Sequence, residues 1–261
     1  MSTPARERLW EVDVARTLAI AMMVAYHAAY DVHQLAPGVD LDPFGGGWRA
    51  LQVATGSSFL FVVGVSLAIS NGRARARGLS GASLYRRHAR RAAQVAGAAL
   101  LVSLVTRVAL GDDYVRFGIL HCIAAAMLIG PLLTRLGWWN VLLGAGVLVL
   151  GLALKDGASS DVPGLMVLGV PPEGPSGVDW YPLAPWLAPM LFGLAAGLAL
   201  YPAGRRGSWG ARLPTPPAAA ALGAPGRHAL PIYLLHQPVL ILIVAGVLAL
   251  LGVEWSWEEF T

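Results

Sequence analysis

Seven apolar stretches dictate most of what this chain can become. They run over 12–34, 48–70, 90–110, 116–135, 138–155, 183–201 and 228–252. Each is near the twenty residues that cross a bilayer, the fifth being the shortest. In hydrocarbon every backbone N–H and C=O must be paired within the chain, so stretches of this length fold as helices. The charge content agrees. Only 13% of residues are charged against 56% hydrophobic, and the mean hydropathy is +0.60, whereas a soluble domain carries about 25% charged residues. The spans use up the 261 residues. The expected fold is an all-α, polytopic membrane bundle of about seven helices, forming a single domain over 1–261.

Arg6 and Arg8 precede the first span as basic residues precede a signal peptide. Its apolar core is longer than a signal core and no small-residue cleavage site follows, so the span is expected to be retained. Cys122 is the single cysteine, which excludes an intramolecular disulfide. The loops that join the spans set the orientation. Of 19 basic residues, fifteen fall on the N-terminal side of the membrane: Arg6, Arg8, Arg16, Arg73, Arg75, Arg77, Arg86, Arg87, Arg90, Arg91, Arg135, Arg205, Arg206, Arg212 and Arg227. Arg49, Arg107, Arg116 and Lys155 fall on the other. This bias predicts a cytoplasmic N-terminus and an external C-terminus, in a bacterial cytoplasmic (inner) membrane. The pI of about 9.6 therefore reflects loop arginines rather than a nucleic-acid surface. The outer loop 156–182, rich in Gly and Pro, is expected to fold over the outer mouth, and the inner loop 202–227 to be a flexible connector. No internal repeat suggests an inverted-repeat transporter.

A few ionisable residues interrupt the spans. His27 and Asp31 lie four apart and share one helix face. An ionised carboxylate at membrane depth costs about 2.5–3.5 kcal/mol even on the insertion scale, so such a pair reads as a functional site or as a structural pairing near the interface. At 1.5 Å per residue His27 lies about 20 Å from the arginine-rich edge, and His121 lies about 7–8 Å below the opposite one. The two depths coincide. Arg116 lies nearer the outer interface. His236 is followed by Gln237 and by Pro238, which loosens the helical ladder. A lone membrane histidine is as readily a packing residue bonded to a carbonyl. A run such as Arg86, Arg87, Arg90, Arg91 is most often a solvated face or a lipid phosphate contact; it could also hold an anionic cofactor, and charge alone does not discriminate.

Four blocks give the chain a family resemblance: RLWEVDVARTLAIAMMVAYHAAYD from Arg8, SSFLFVVGVSLAIS from Ser57, VRFGILHCIAAAML from Val115 and GRHALPIYLLHQPVL from Gly226. With DWYPLAPWLAPMLFGLAAG from Asp179 they cover most of the chain. Together they resemble the bacterial branch of the heparan-α-glucosaminide N-acetyltransferase family of transmembrane acyltransferases. Thr17 stands where that family usually has Gly. The animal enzyme's catalytic histidine lies in the loop after the first span. His33 lies in that region but does not align with it by motif.

The resemblance implies transfer of an acyl group, most simply acetyl, from cytoplasmic acyl-CoA to an acceptor outside, an amino sugar or an envelope glycan. In that reading His27 is the base, Asp31 orients it, and His121 is a second proton-handling group. Arg116, His236 and Gln237 line the acceptor path, and Arg86, Arg87, Arg90 and Arg91 meet the CoA phosphates. No metal is expected. The expected partners are membrane lipids, the acceptor and a second copy of the chain. The residues alone leave open a small carrier or channel using the same groups, or an assembly protein without chemistry.

Overall fold

The computed structural model describes residues 8–157, 159–174, 176–210 and 213–256. Arg6 and Arg212 of the arginine set lie outside them. Seven long helices match the seven apolar stretches: α1 (Trp10–Leu35), α2 (Gly46–Arg75), α3 (Gly81–Leu110), α4 (Ile119–Leu133), α5 (Trp139–Lys155), α7 (Leu183–Leu200) and α10 (Ala229–Leu251). Six are long and apolar enough to cross a bilayer. The seventh, α5, has 17 residues and rises about 26 Å, at the lower limit for a span. Short helices α6 (Pro163–Leu168), α8 (Ala219–Leu222) and α9 (Ala224–Arg227) lie in the connections. The fold is the expected polytopic all-α bundle.

Two helices run further than hydropathy alone suggests. Ser83 Oγ accepts the Ser80 N–H at 3.3 Å, so α3 starts at Gly81 and its first turns carry Arg86 to Arg91 beyond the apolar part. Likewise α2 continues to Arg75. The expected loop 71–89 is therefore mostly helix around a short turn.

Small residues set the centre of the bundle. Gly193 and Gly197 of α7 lie four apart on one face, a spacing that lets helix backbones approach closely in a membrane. A Cβ at Gly193 would lie 2.0 Å from Phe61 O, and one at Gly64 2.1 Å from Met190 O. Around this contact Leu60, Leu67, Cys122, Met190, Leu191 and Leu194 form the main buried cluster. By contrast α3 leaves Leu100, Leu104, Val105 and Val108 exposed, as a lipid-facing helix does.

The ends of the bundle differ in chemistry. At the arginine-rich end, Arg206 grips Glu11 with two hydrogen bonds, Nε to Oε1 at 2.9 Å and Nη2 to Oε2 at 2.6 Å. Tyr201 donates its hydroxyl to the same carboxylate at 3.2 Å. Arg73 Nε donates to Gly204 O at 2.8 Å, and Gly226 N–H to Thr17 Oγ1 at 2.9 Å. The segment 202–227, expected as a flexible connector, is thus tied to α1 and α2. Its glycines permit it: a Cβ at Gly226 would lie 2.0 Å from Asp13 O. At the opposite end the loop after α6 runs beside the chain that leads into α4, with Val178 N–H to Asp113 O at 3.0 Å and Tyr181 N–H to Phe117 O at 2.9 Å.

Candidate functional site

Helices α1 and α10 pack along one seam, and the ionisable residues of both meet there. Asp31 is fully buried. Its Oδ1 accepts a hydrogen bond from Gln237 Nε2. A carboxylate only accepts, so this bond fixes the amide with its nitrogen toward Asp31 and its oxygen away. The His27 and His236 rings meet edge to face with centroids 4.7 Å apart. The sequence reading placed His236 and Gln237 on a passage and His27 and Asp31 at a base. The structure brings all four together.

Hydrogen bonding sets the tautomers. His27 Nδ1 faces Met23 O at 2.9 Å, and His236 Nδ1 faces Tyr233 O. A backbone carbonyl cannot donate, so in each neutral ring Nδ1 carries the proton and Nε2 keeps its lone pair. Asp31 does not orient His27, as the spacing suggested; the carbonyl four residues earlier does. Asp31 Oδ2, His236 Nε2 and Gln237 Oε1 are buried without a partner. The His27 ring, whose Nε2 keeps its lone pair, lies beside them against the His236 ring. Buried polar atoms are rarely left unpaired, and unpartnered acceptors at one seam call for a ligand that brings the hydrogens.

His121 is built the opposite way. Its Nδ1 accepts the Gly118 N–H at 3.2 Å, so in the neutral ring Nε2 carries the proton and points to Ser103 Oγ at 3.5 Å. Ser103 in turn donates to Val115 O at 2.6 Å. His121 is thus a donor, packed on Phe117 between α3 and α4 rather than on the α1–α10 seam. Arg116 bonds Asp112 O at 3.1 Å and lies over the Tyr114 ring, engaged with its own turn. His33 bonds Leu41 O at 2.8 Å and packs on Phe44. Arg86, Arg90 and Arg91 are exposed on α3 while Arg87 is half-buried. Arg91 is close enough to Arg16 for the two to repel. Arg16 is itself held by Asp13 at 2.8 Å and Ser66 at 2.6 Å.

Asp179 opens the DWYPLAPWLAPMLFGLAAG block, and the sequence reading gave it no role of its own. It accepts the Ile119 N–H at 3.0 Å at the start of α4, where the helix dipole favours a negative charge. A Cβ at Gly118 would lie 2.1 Å from its Oδ2, so the carboxylate sits close against the Gly118 backbone. Loss of hydration pushes its pKa up to about 6, against the pull of the Ile119 bond. The carboxylate acts electrostatically on Tyr26 of α1, Cys122 of α4, Tyr181 and Tyr233 of α10. Its signal in the sequence is an acid placed directly before an apolar run.

The heparan-alpha-glucosaminide N-acetyltransferase catalytic family matches residues 8–238. This chain belongs to that family. No curated protein and no solved structure matches it. The family match closes at Pro238, one residue past the seam, so all four seam residues fall within it. Thr17, where the family pattern has Gly, uses its hydroxyl to hold Gly226 of α9. Among the described residues no group of three or more His, Cys, Asp or Glu could hold a metal.

Proposed function

We propose that this protein is a membrane acyltransferase that moves an acetyl group from acyl-CoA to an amine at the end of the bundle opposite the arginines. The observation that carries the reading is the cluster of unpartnered acceptors at the seam. An acceptor amine brings N–H donors, and the three buried acceptors without a partner, with the His27 Nε2 lone pair beside them, complement it. Asp31 Oδ2 and Gln237 Oε1 would hold the amine. His27 Nε2 would take its proton as the nitrogen attacks the thioester carbonyl, closing a C–N bond and placing charge on oxygen. Collapse expels the CoA thiolate, which recovers a proton. His236 Nε2 is the second lone pair at the seam and would accept a hydrogen bond from the same nitrogen. His121, with its Nε2–H, suits a donor role toward developing negative charge rather than a base. The basic face at Arg86–Arg91 would attract the CoA phosphates from the cytoplasm, with acceptors such as an amino sugar or an envelope glycan approaching from outside.

The test is transfer from radiolabelled acetyl-CoA to glucosamine by purified protein in nanodiscs. Wild type is expected to label the amine, and His27→Ala to lose about 10²–10⁴-fold, the range of a general base, while acetyl-CoA still raises its Tm. If acetyl-CoA, propionyl-CoA and succinyl-CoA all leave Tm unchanged, the acyltransferase reading fails and the carrier reading gains.

A further inference from the structure

The segment that leads into α7 carries a second group of polar residues, at the end of the bundle opposite the arginines. Phe117 and Trp180 form a parallel β-bridge there. Side chains alternate along an extended segment, so Asp179 and Tyr181 share one side and Trp180 takes the other. Trp180 donates its Nε1–H to Met166 O at 3.3 Å. Tyr181 lies against α2, where a Cβ at Gly56 would meet its Cε1 2.5 Å away and its hydroxyl oxygen 3.0 Å away. The Trp186 ring closes on it, with centroids 4.4 Å apart.

These groups lack partners. Asp179 is half-buried, and the Ile119 N–H is its one hydrogen bond among the described residues. No described cation pairs with it. Arg49, which acts electrostatically on Tyr26 and Tyr181, is bonded to Gln52 instead. Tyr26 and Tyr181 are 6% and 9% exposed, and neither hydroxyl makes a hydrogen bond among the described residues. Both phenols feel the Asp179 charge. A carboxylate withdrawn from water without a counter-charge is costly to keep ionised, and aromatic ring faces attract cations. The complement is a small positive body rich in N–H. One carboxylate is too few ligands for a divalent ion, whereas an alkylammonium supplies both the charge and three donors.

We infer that Asp179, with the Tyr26 and Tyr181 rings, forms a subsite for a primary ammonium group. It deepens the acyl-transfer reading by naming the charged form in which the amine is captured. It rests on that reading only for the step that follows: the Tyr26 ring lies 5.6 Å from that of His27, so the capture site adjoins the seam.

Full-length protein in nanodiscs without acyl-CoA isolates capture from transfer. Glucosamine and ethylamine, both protonated at neutral pH, are added while Tm and heat of binding are followed. Glucose, N-acetylglucosamine and calcium chloride serve as uncharged and inorganic counterparts. The two amines are expected to stabilise the wild type and the other three to leave it unchanged. Asp179→Asn keeps an oxygen for the Ile119 N–H and removes the charge, so it should weaken the amine response about tenfold. Tyr181→Leu should weaken it too, and Glu173→Gln, at an exposed acid of the same loop, should not. In transfer from acetyl-CoA, Asp179→Asn should raise KM for glucosamine about tenfold and keep kcat, while hydroxylamine, uncharged at neutral pH, reacts as with wild type. A merely structural role would lower both acceptors alike. The inference is overturned if neither amine stabilises the wild type, if glucose or calcium does so equally, or if Asp179→Asn responds as wild type does. Amine binding without any transfer from acetyl-CoA would sink the acyl-transfer reading and leave this subsite standing.

Discussion

The pairing of Asp31 with Gln237 can be separated into a structural and a chemical part. Gln237→Leu removes the donor that the structure gives to a carboxylate with no solvent exposure. A hydrogen bond to a charged group contributes about 1.5–3 kcal/mol, whereas hydrogen bonds between membrane helices average about 0.6 kcal/mol and reach about 1.7. Complete burial of Asp31 and the loss of its amide partner place this change at the upper end, about 1.5–3 kcal/mol. Asp31→Leu removes the buried carboxyl group but leaves the Gln237 amide without its acceptor, so it should cost about 1–3 kcal/mol. The double variant should be as stable as wild type or more so, because replacing both members by apolar groups leaves nothing unpaired. Reversible unfolding in mixed micelles measures all four corners of this cycle. Acetyl transfer measured on the same samples gives the other half: both single variants and the stable double variant should be inactive. A double variant with full transfer would show that the pair is only a strut between α1 and α10. A Gln237→Leu variant with unchanged stability would show that the carboxylate does not rely on this amide.

Three further outcomes follow from other parts of the structure. Asp179 has its pKa pushed up to about 6 from 3.8 by desolvation; the folded state then holds the proton more tightly, so its stabilising contribution is full below about pH 3.8 and lost as pH rises through about 6. Asp179→Asn should therefore raise Tm at pH 7.5 and flatten Tm between pH 4 and 6, and an unchanged pH profile would contradict this assignment. Gly193→Ala should cost about 1–3 kcal/mol, because the added Cβ meets the Phe61 backbone 2.0 Å away; a wild-type Tm would mean that α2 and α7 do not touch there. In a Cys122→Ala background, Ser159→Cys should react with an impermeant maleimide added outside cells and Ser80→Cys should not; both native serines are exposed in the fold, so the opposite pattern would invert the orientation.

Hydropathy made the span count and most span positions legible, because each apolar stretch must pair its backbone internally and only a helix does so. It missed the starts of α3 and the end of α2, where arginine-bearing turns outside the apolar run continue the helix. The i,i+4 rule placed His27 and Asp31 on one face, which is correct for a helix, yet a shared face is not a bond: His27 reaches back to Met23 O instead. Matching depths grouped His121 with His27, but depth fixes one coordinate of three, and His121 belongs to the α3–α4 contact. Which helix faces α1 is a tertiary fact. The proximity of His236 and Gln237 to this pair had no local signature.

The two ends of the bundle constrain what the donor can be. From Arg16, which neighbours Arg91 electrostatically, to His27 is eleven residues of continuous α1, or about 16–17 Å along the axis. On the proposed reading, a molecule whose anionic part rests among the arginines must present its reacting carbon that far away at the seam. A small acyl donor such as acetyl phosphate is held by the arginines or positioned at His27, not both. A donor with a long arm between its phosphates and its thioester does both at once. Anchoring at the arginines then contributes to orientation at the seam, because binding remote from the reaction centre holds the reactants in place. Neutralising the arginines should consequently lower the use of acetyl-CoA while leaving any slow reaction with a short thioester unchanged. Equal losses with both donors would mean that the arginines support the fold rather than the donor.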